Sequence, residues 1–181
     1  MAIPNTTITC PIPSNVNPLS PNGFMFGISK LPTLKFFCQQ VNLPGITLGA
    51  PEFGNPFNVA PLPGETLTYD QLNVQFMISE DMSNYQAIYN WIIALGFPQD
   101  YAQYTTFIND ADQISAGELA RNYSDATLQI LGPNNVPVKT AQFYDLFPIA
   151  LDSLLFQSTA QDVNYLIGNA TFRYGYYKFI D

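Results

Sequence analysis

Residues 67–96 read LTYDQLNVQFMISEDMSNYQAIYNWIIALG, and two periodicities meet inside them. Over Leu67–Ser79, the apolar residues Leu72, Val74, Phe76 and Ile78 alternate with Asn73, Gln75, Met77 and Ser79. A period of two predicts a half-buried strand with one apolar face and one polar, uncharged face. After Glu80-Asp81-Met82-Ser83 the spacing changes: Tyr85, Ile88, Trp91, Ile92 and Leu95 recur at helical intervals, which predicts an amphipathic helix. Ser83 or Asp81 can cap its start, where the carboxylates of Glu80 and Asp81 suit the positive helix end. Gly96 and Pro98 end it.

Strands are predicted on both sides of this unit. Phe24, Phe26 and Ile28 alternate within 23–31, and Lys35–Leu43 reads as the partner strand, joined through Pro32-Thr33. Leu43-Pro44-Gly45 is a break. The stretch 44–66, with Pro44, Pro51, Pro56, Pro61 and Pro63, is expected to be a long exposed loop carrying only short or edge strands. Residues 1–21 contain Pro4, Pro11, Pro13, Pro18 and Pro21 and read as an extended arm, either a free tail or a strap on a neighbouring subunit. The stretch 97–122 lacks strong periodicity and reads as an insertion with one short helix near 110–121. Strands resume at 125–131 and 136–144 around a Pro133-Asn134-Asn135 turn. Phe147-Pro148 is expected to break the chain, Leu151–Phe156 is short and apolar, and 162–179 reads as one long or two short strands. Strands, one helix and strands again predict a mainly β (α+β) domain over 22–181: an antiparallel sandwich or barrel with one flanking helix.

Composition narrows the function. Of 181 residues 47% are hydrophobic, enough for one core, but only 11% are charged, against roughly a quarter in an average protein. A subunit that buries much of its surface in partners needs fewer charges. The net charge of −8, with six basic residues and no histidine, leaves no cationic patch for duplex nucleic acid. A surface past which DNA slides without sticking is compatible with it. The first 21 residues lack the basic and apolar regions of a secretory leader, and no apolar run approaches the ~18 residues of a membrane span. Synthesis in a reducing cytoplasm is therefore expected.

The ingredients of catalysis are sparse. Without histidine the usual general base and metal ligand is missing, and no glycine-rich phosphate loop is present. Glu80/Asp81 is explained by helix capping, and Asp110/Asp112 by a solvated turn, since the continuation of a calcium loop is lacking. Cys10 and Cys38 fall in no metal or disulfide spacing. The aromatic run Tyr174, Tyr176, Tyr177 and Phe179 has only Arg173 and Lys178 beside it, so a core or interface strand is favoured over nucleic-acid stacking. No enzyme activity, cofactor or metal is expected.

The order of several short motifs resembles the tail tube proteins of large contractile-tailed phages. Asn22-Gly23-Phe24-Met25-Phe26-Gly27-Ile28 followed by Phe36-Phe37-Cys38-Gln39-Gln40-Val41-Asn42-Leu43-Pro44-Gly45-Ile46 is similar to that family's opening hairpin and its Leu-Pro-Gly step. A strand like Leu67–Ser79, the acidic step and a Trp-bearing helix come next, and Asp145-Leu146-Phe147-Pro148, Leu151-Asp152 and Asn169–Lys178 resemble the closing segment. The resemblance covers most of 22–96 and 123–180; the arm and the 97–122 stretch depart from it, as they would in a baseplate tube-initiator or junction protein of the same fold. It implies stacked, six-fold rings whose strands join into one inner barrel, copies of itself plus sheath and baseplate proteins as partners, no membrane, and DNA passing through the channel of a virion. Asn73, Gln75 and Ser79 would line that channel, and the loop bearing Pro44, Gly45, Pro51, Pro56 and Pro61 would set ring stacking. A β-sandwich capsid decoration or attachment module is the competing binding class, and a tail-borne cell-wall hydrolase the enzymatic one.

Overall fold

The computed structural model describes residues 17–54, 58–96, 98–108, 122–158 and 165–180. Its longest strand, β9 (Pro137–Leu151), organises the others. The first part of β9 pairs with β8 (Ser124–Leu131), which pairs in turn with β1 (Phe24–Ile28). Along its opposite edge run β11 (Tyr176–Ile180), against Thr140–Tyr144, and β10 (Ile167–Arg173), against Phe147–Leu151. The register is unbroken from Phe172 to Ile180, so β10 and β11 are two parts of one long antiparallel ladder interrupted at Tyr174-Gly175. Next to β10 lies β7 (Leu72–Met77), and next to that β2 (Cys38–Val41). The strand order is β1-β8-β9-β10-β7-β2, with β11 beside β9.

This seven-stranded sheet folds over on itself. Phe26, Leu128 and Phe143 from one half and Val74, Phe76 and Phe172 from the other join one buried cluster. Asp145 marks the change of direction in β9 with φ 56°, a left-handed conformation that Asp tolerates better than β-branched residues. Gly168 on β10 is required by the packing: a Cβ there would come within 2.9 Å of the Phe76 ring.

Helix α2 (Ser83–Gly96) closes the cluster, burying Asn84, Ile88, Trp91 and Ala94. Trp91 lies 6.5 Å from Phe172 between ring centroids, and its indole N–H donates to the Asn122 carbonyl at 3.2 Å, the partner a buried Trp needs. Asn84 ties the end of β7 to the start of α2. Its amide donates to the Met77 carbonyl at 2.8 Å, and its Oδ1 accepts from the backbone N–H of Tyr85 at 2.9 Å and of Ser79 at 3.3 Å. The Ser83 N–H donates to Asp81 Oδ1 at 3.1 Å, which is the capping role read from the sequence. The Ser79 hydroxyl, and after it that bond, hold the Asp81 carboxyl below its usual range. Two shorter helices complete the described elements, α1 (Leu34–Phe37) and α3 (Ala102–Ile108). The helix expected near 110–121 lies outside the described residues, as does most of the arm.

Four expectations need correction. Residues 35–43 are not the hairpin partner of β1: α1 carries the chain across the sandwich, with Leu34 buried, and β2 pairs with β7 while β1 pairs with β8. Leu67–Ser79 is two strands, β6 (Leu67–Tyr69) and β7, parted at Asp70-Gln71. Phe147-Pro148 does not end a strand; β9 continues to Leu151. Past Leu146 β9 has left β8 behind, and an edge strand tolerates the missing proline N–H. Finally, the described part of 44–66 is largely exposed and carries only short strands, as expected, but these pair into most of an ordered hairpin rather than leaving a loop. β3 (Ile46–Leu48) pairs with β6, and β4 (Glu52–Gly54) with β5 (Val59–Pro61), in two nested steps.

Candidate assembly surfaces

The outer face of the β2-β7-β10-β9 half is built from amides. Side chains alternate across a strand, so burying Leu72, Val74 and Phe76 turns Asn73 and Gln75 outward. The antiparallel registers place like residues beside them: Asn169 and Gln40 flank Gln75, and Thr171 lies opposite Asn73. The Thr171 hydroxyl donates to Asn73 Oδ1 at 3.0 Å. Asn42 grips the neighbouring strand, its Oδ1 accepting the Asn73 N–H at 2.6 Å and its amide donating to the Gln71 carbonyl at 3.0 Å. Together these side chains line a shallow depression of about 420 Å³, in which Asp152 is the one charged residue. Sequence reading found Asn73 and Gln75 but missed Gln40, Asn42, Asn169 and Thr171. The alternation of 167–173 was visible, yet the pairing that brings it beside β7 is not written in either strand. Ser79 lies beyond the end of β7, with its hydroxyl oxygen 3.2 Å from Asn84 Oδ1.

Both ends of this half-sheet are unpaired among the described residues. β2 pairs only with β7, and β9 past Leu146 pairs only with β10. Such edges offer free N–H and C=O groups to another chain. Cys38 sits on β2, where burial pushes its thiol up to about 11, so it carries little thiolate at neutral pH.

The hairpin is the second surface. Its root is fixed by aromatic packing: Tyr69 lies 5.9 Å from both Tyr174 and Tyr177, and the Tyr177 hydroxyl donates to the Pro44 carbonyl at 3.2 Å. Burial pushes the Tyr174 phenol up, with the charges of Tyr177 and Asp70 adding to the shift. At Gly45 a Cβ would lie 2.6 Å from the Asp70 carboxylate, so the root is tight. Beyond it Leu48, Phe53, Val59 and Leu62 are all exposed. Pro51 and Pro61 lie in the β4–β5 step, while Pro56 is outside the described residues.

Among the described residues no three His, Cys, Asp or Glu side chains form a group that could hold a metal, and no helix is long and apolar enough to cross a membrane.

No protein-family model and no curated protein matches the chain. Solved structures do match it over nearly its whole length. A chain of the anti-feeding prophage (AFP) baseplate, 6-fold symmetrised, aligns with a TM-score of 0.56 and 13% identity, covering 92% of this chain and 97% of that one. A chain of the PVC sheath-tube complex of an extracellular contractile injection system, in the extended state, gives 0.54 and 15%, covering 90% and 91%. One from the PVC sheath/tube terminator gives 0.57 and 14%, covering 91% and 98%. At this identity the likeness is one of fold: the chain has the β-rich, tube-type fold found in contractile injection particles, in agreement with the resemblance read from its motifs.

Proposed function

We propose that this tube-type fold serves as a structural, non-enzymatic subunit of a contractile phage tail, assembling into stacked rings around a channel. The observation that carries the reading is the amide face with an open strand edge on either side of it. A sheet that ends in two free edges is completed when the β2 edge of one copy meets the β9 edge of the next, and a closed ring removes both edges. The amide face carrying Asn73, Gln75, Gln40, Asn169 and Thr171, with Asp152 its single charge, then lines the lumen, with Ser79 at its rim. Amides without a cationic patch let DNA pass without holding it. Six copies per ring follow from the tail-tube resemblance. The hairpin, with Pro44, Gly45, Pro51 and Pro61, reaches the next ring and sets stacking. Sheath and baseplate proteins are the remaining partners, in a virion assembled from protein made in a bacterial cytoplasm.

Negative-stain microscopy of the purified protein tests this. Hollow rods are expected; discrete monomers or trimers at all concentrations overturn the reading in favour of a decoration module. Replacing 46–69 by a short Gly-Ser link is expected to leave rings but no long rods, and unchanged rods would remove the stacking role. Peptidoglycan hydrolysis is expected to be blank.

A tube-junction variant of this function is equally compatible with the fold. TM-scores to the baseplate, sheath-tube and terminator particles span only 0.54 to 0.57, so the fold suits a ring at a tube junction equally well. Rods that stop at one or two rings identify a junction protein.

A further inference from the structure

We infer that the surface receiving the hairpin is the free edge of β11 in another copy of this chain, reached in the adjacent ring. The inference rests on the ring-stack reading and adds the contact that reading leaves open.

Each partner is unfinished in a matching way. Among the described residues β3 pairs only with β6, and β4 only with β5, so each strand keeps one side open there. An isolated two-stranded hairpin is marginal in water, and this one exposes Ile46, Leu48, Phe53, Val59, Leu62 and Leu67. On the other side β11 pairs only with β9, and Tyr176, Phe179 and Ile180 are exposed along it. Joining two such edges adds a strand through main-chain hydrogen bonds while apolar side chains cover one another.

Charge selects this pairing. Residues 44–71 contain Glu52, Glu65 and Asp70 and no Lys or Arg. The whole chain has six basic residues, and three of them, Lys139, Arg173 and Lys178, lie on the β9, β10 and β11 ladder, against one carboxylate there, Asp145. Lys178 is exposed, with its Nζ 5.3 Å from the Tyr176 ring centroid and 5.9 Å from that of Tyr144. Those rings stack at 4.8 Å. The result is a flat aromatic platform bearing a cation, facing a hairpin that is apolar and acidic.

Geometry places the contact between copies. Residues 46–54 reach about 30 Å at ~3.3 Å per residue, and a domain of this length has a radius of gyration of roughly 15 Å. The hairpin is therefore longer than the ~20 Å radius of a compact subunit of that size and can reach past its own body. A contact between unlike patches on translated copies does not close on itself and propagates as an open stack.

A charge exchange tests the contact in the full-length protein. Lys178→Glu is expected to shorten rods at least tenfold by negative stain and sedimentation while rings persist. Glu52→Lys with Glu65→Lys is expected to do the same, and the three changes together to restore at least half the wild-type length. Rods of unchanged length in Lys178→Glu, or no restoration in the combined variant, overturn the inference and leave the ring reading standing. Absence of rings in the wild type overturns both. A second measurement keeps the question open to refutation should these variants melt early. In a Cys10→Ser, Cys38→Ser background, Phe53→Cys with Ile180→Cys is expected to give a ladder of disulfide-linked multimers on oxidation of assembled protein. Monomer only on a denaturing gel overturns the contact.

Discussion

Leu72, Val74 and Phe76 on β7 are 0 to 1% exposed, whereas Leu48, Phe53 and Leu67 on the strands just before them are 48 to 63% exposed. Both sets belong to antiparallel strands and both are apolar. The difference is what faces them: β7 is covered by the folded-over sheet and α2, while among the described residues the hairpin strands pair only with one another. Area removed from water is what stabilises a fold, at about 25 cal/mol per Å². Stability of the single subunit therefore resides in the sandwich. The hairpin's apolar area is left for association, and the two regions should respond to mutation in opposite ways.

The largest stability effect is expected at Trp91. Trp91→Ala removes the largest buried side chain and leaves Phe172 and the Asn122 carbonyl facing a void, at a cost of about 3–5 kcal/mol. Chemical denaturation of the dissociated subunit measures it, and a loss below about 1 kcal/mol would remove α2 from the core. Asn84→Leu comes next. It strands the Met77 carbonyl and the Ser79 N–H in a buried site, for which about 2–3 kcal/mol is expected; a stabilised variant would show that the β7–α2 link is not held by this amide. Gly168→Ala then presses a methyl group on the Phe76 ring and should cost about 1–3 kcal/mol. In the hairpin the same experiments invert. Leu48→Ser and Phe53→Ser should move subunit stability by no more than about 0.5 kcal/mol yet shorten rods. A loss comparable to that of Trp91→Ala would show that the hairpin is part of the subunit's own core.

That contrast also marks what the sequence could and could not disclose. Alternation in 72–77 and 124–131 and the helical spacing of 85–95 are local, so strands β7 and β8 and helix α2 were legible, together with the outward turn of Asn73 and Gln75. Pairing is not local. β2 follows β1 in sequence, so a hairpin was the short-range expectation, but Leu34 is drawn into the core and α1 carries β2 across to β7. The amide face needed three strands from distant parts of the chain, which is why Asn169, Thr171 and Gln40 were missed. Prolines in 44–66 argued for irregular backbone, yet Pro51 immediately precedes β4 and Pro61 ends β5, strand ends where a missing N–H costs least. Pro148 is tolerated within β9 because that stretch is an edge.

The smallest effect expected is electrostatic, and it sharpens the picture of the core's edge. Lys30 is half-buried beside Trp91, with Nζ 5.3 Å from the ring centroid. Burial pushes its ammonium from 10.5 down to about 8, although the ring face itself favours the cation. Because the folded pKa is the lower one, the unfolded chain binds more protons between pH 8 and 10.5, and stability rises with pH across that window. Cys38 acts in the opposite direction: its thiol is raised from 9.0 to about 11, so stability falls between those values. Between pH 8 and 9 the Lys30 difference is the larger, the Cys38 thiol opposing it increasingly toward pH 9, and a shallow rise is expected there because water screens a half-buried group. Denaturation midpoints at pH 7, 8 and 9 measure it. Lys30→Met should turn the rise into a slight fall, and Cys38→Ser should steepen it. A fall over this interval in the wild type would mean that the cation held over Trp91 is stabilised by the ring more than it is penalised by burial.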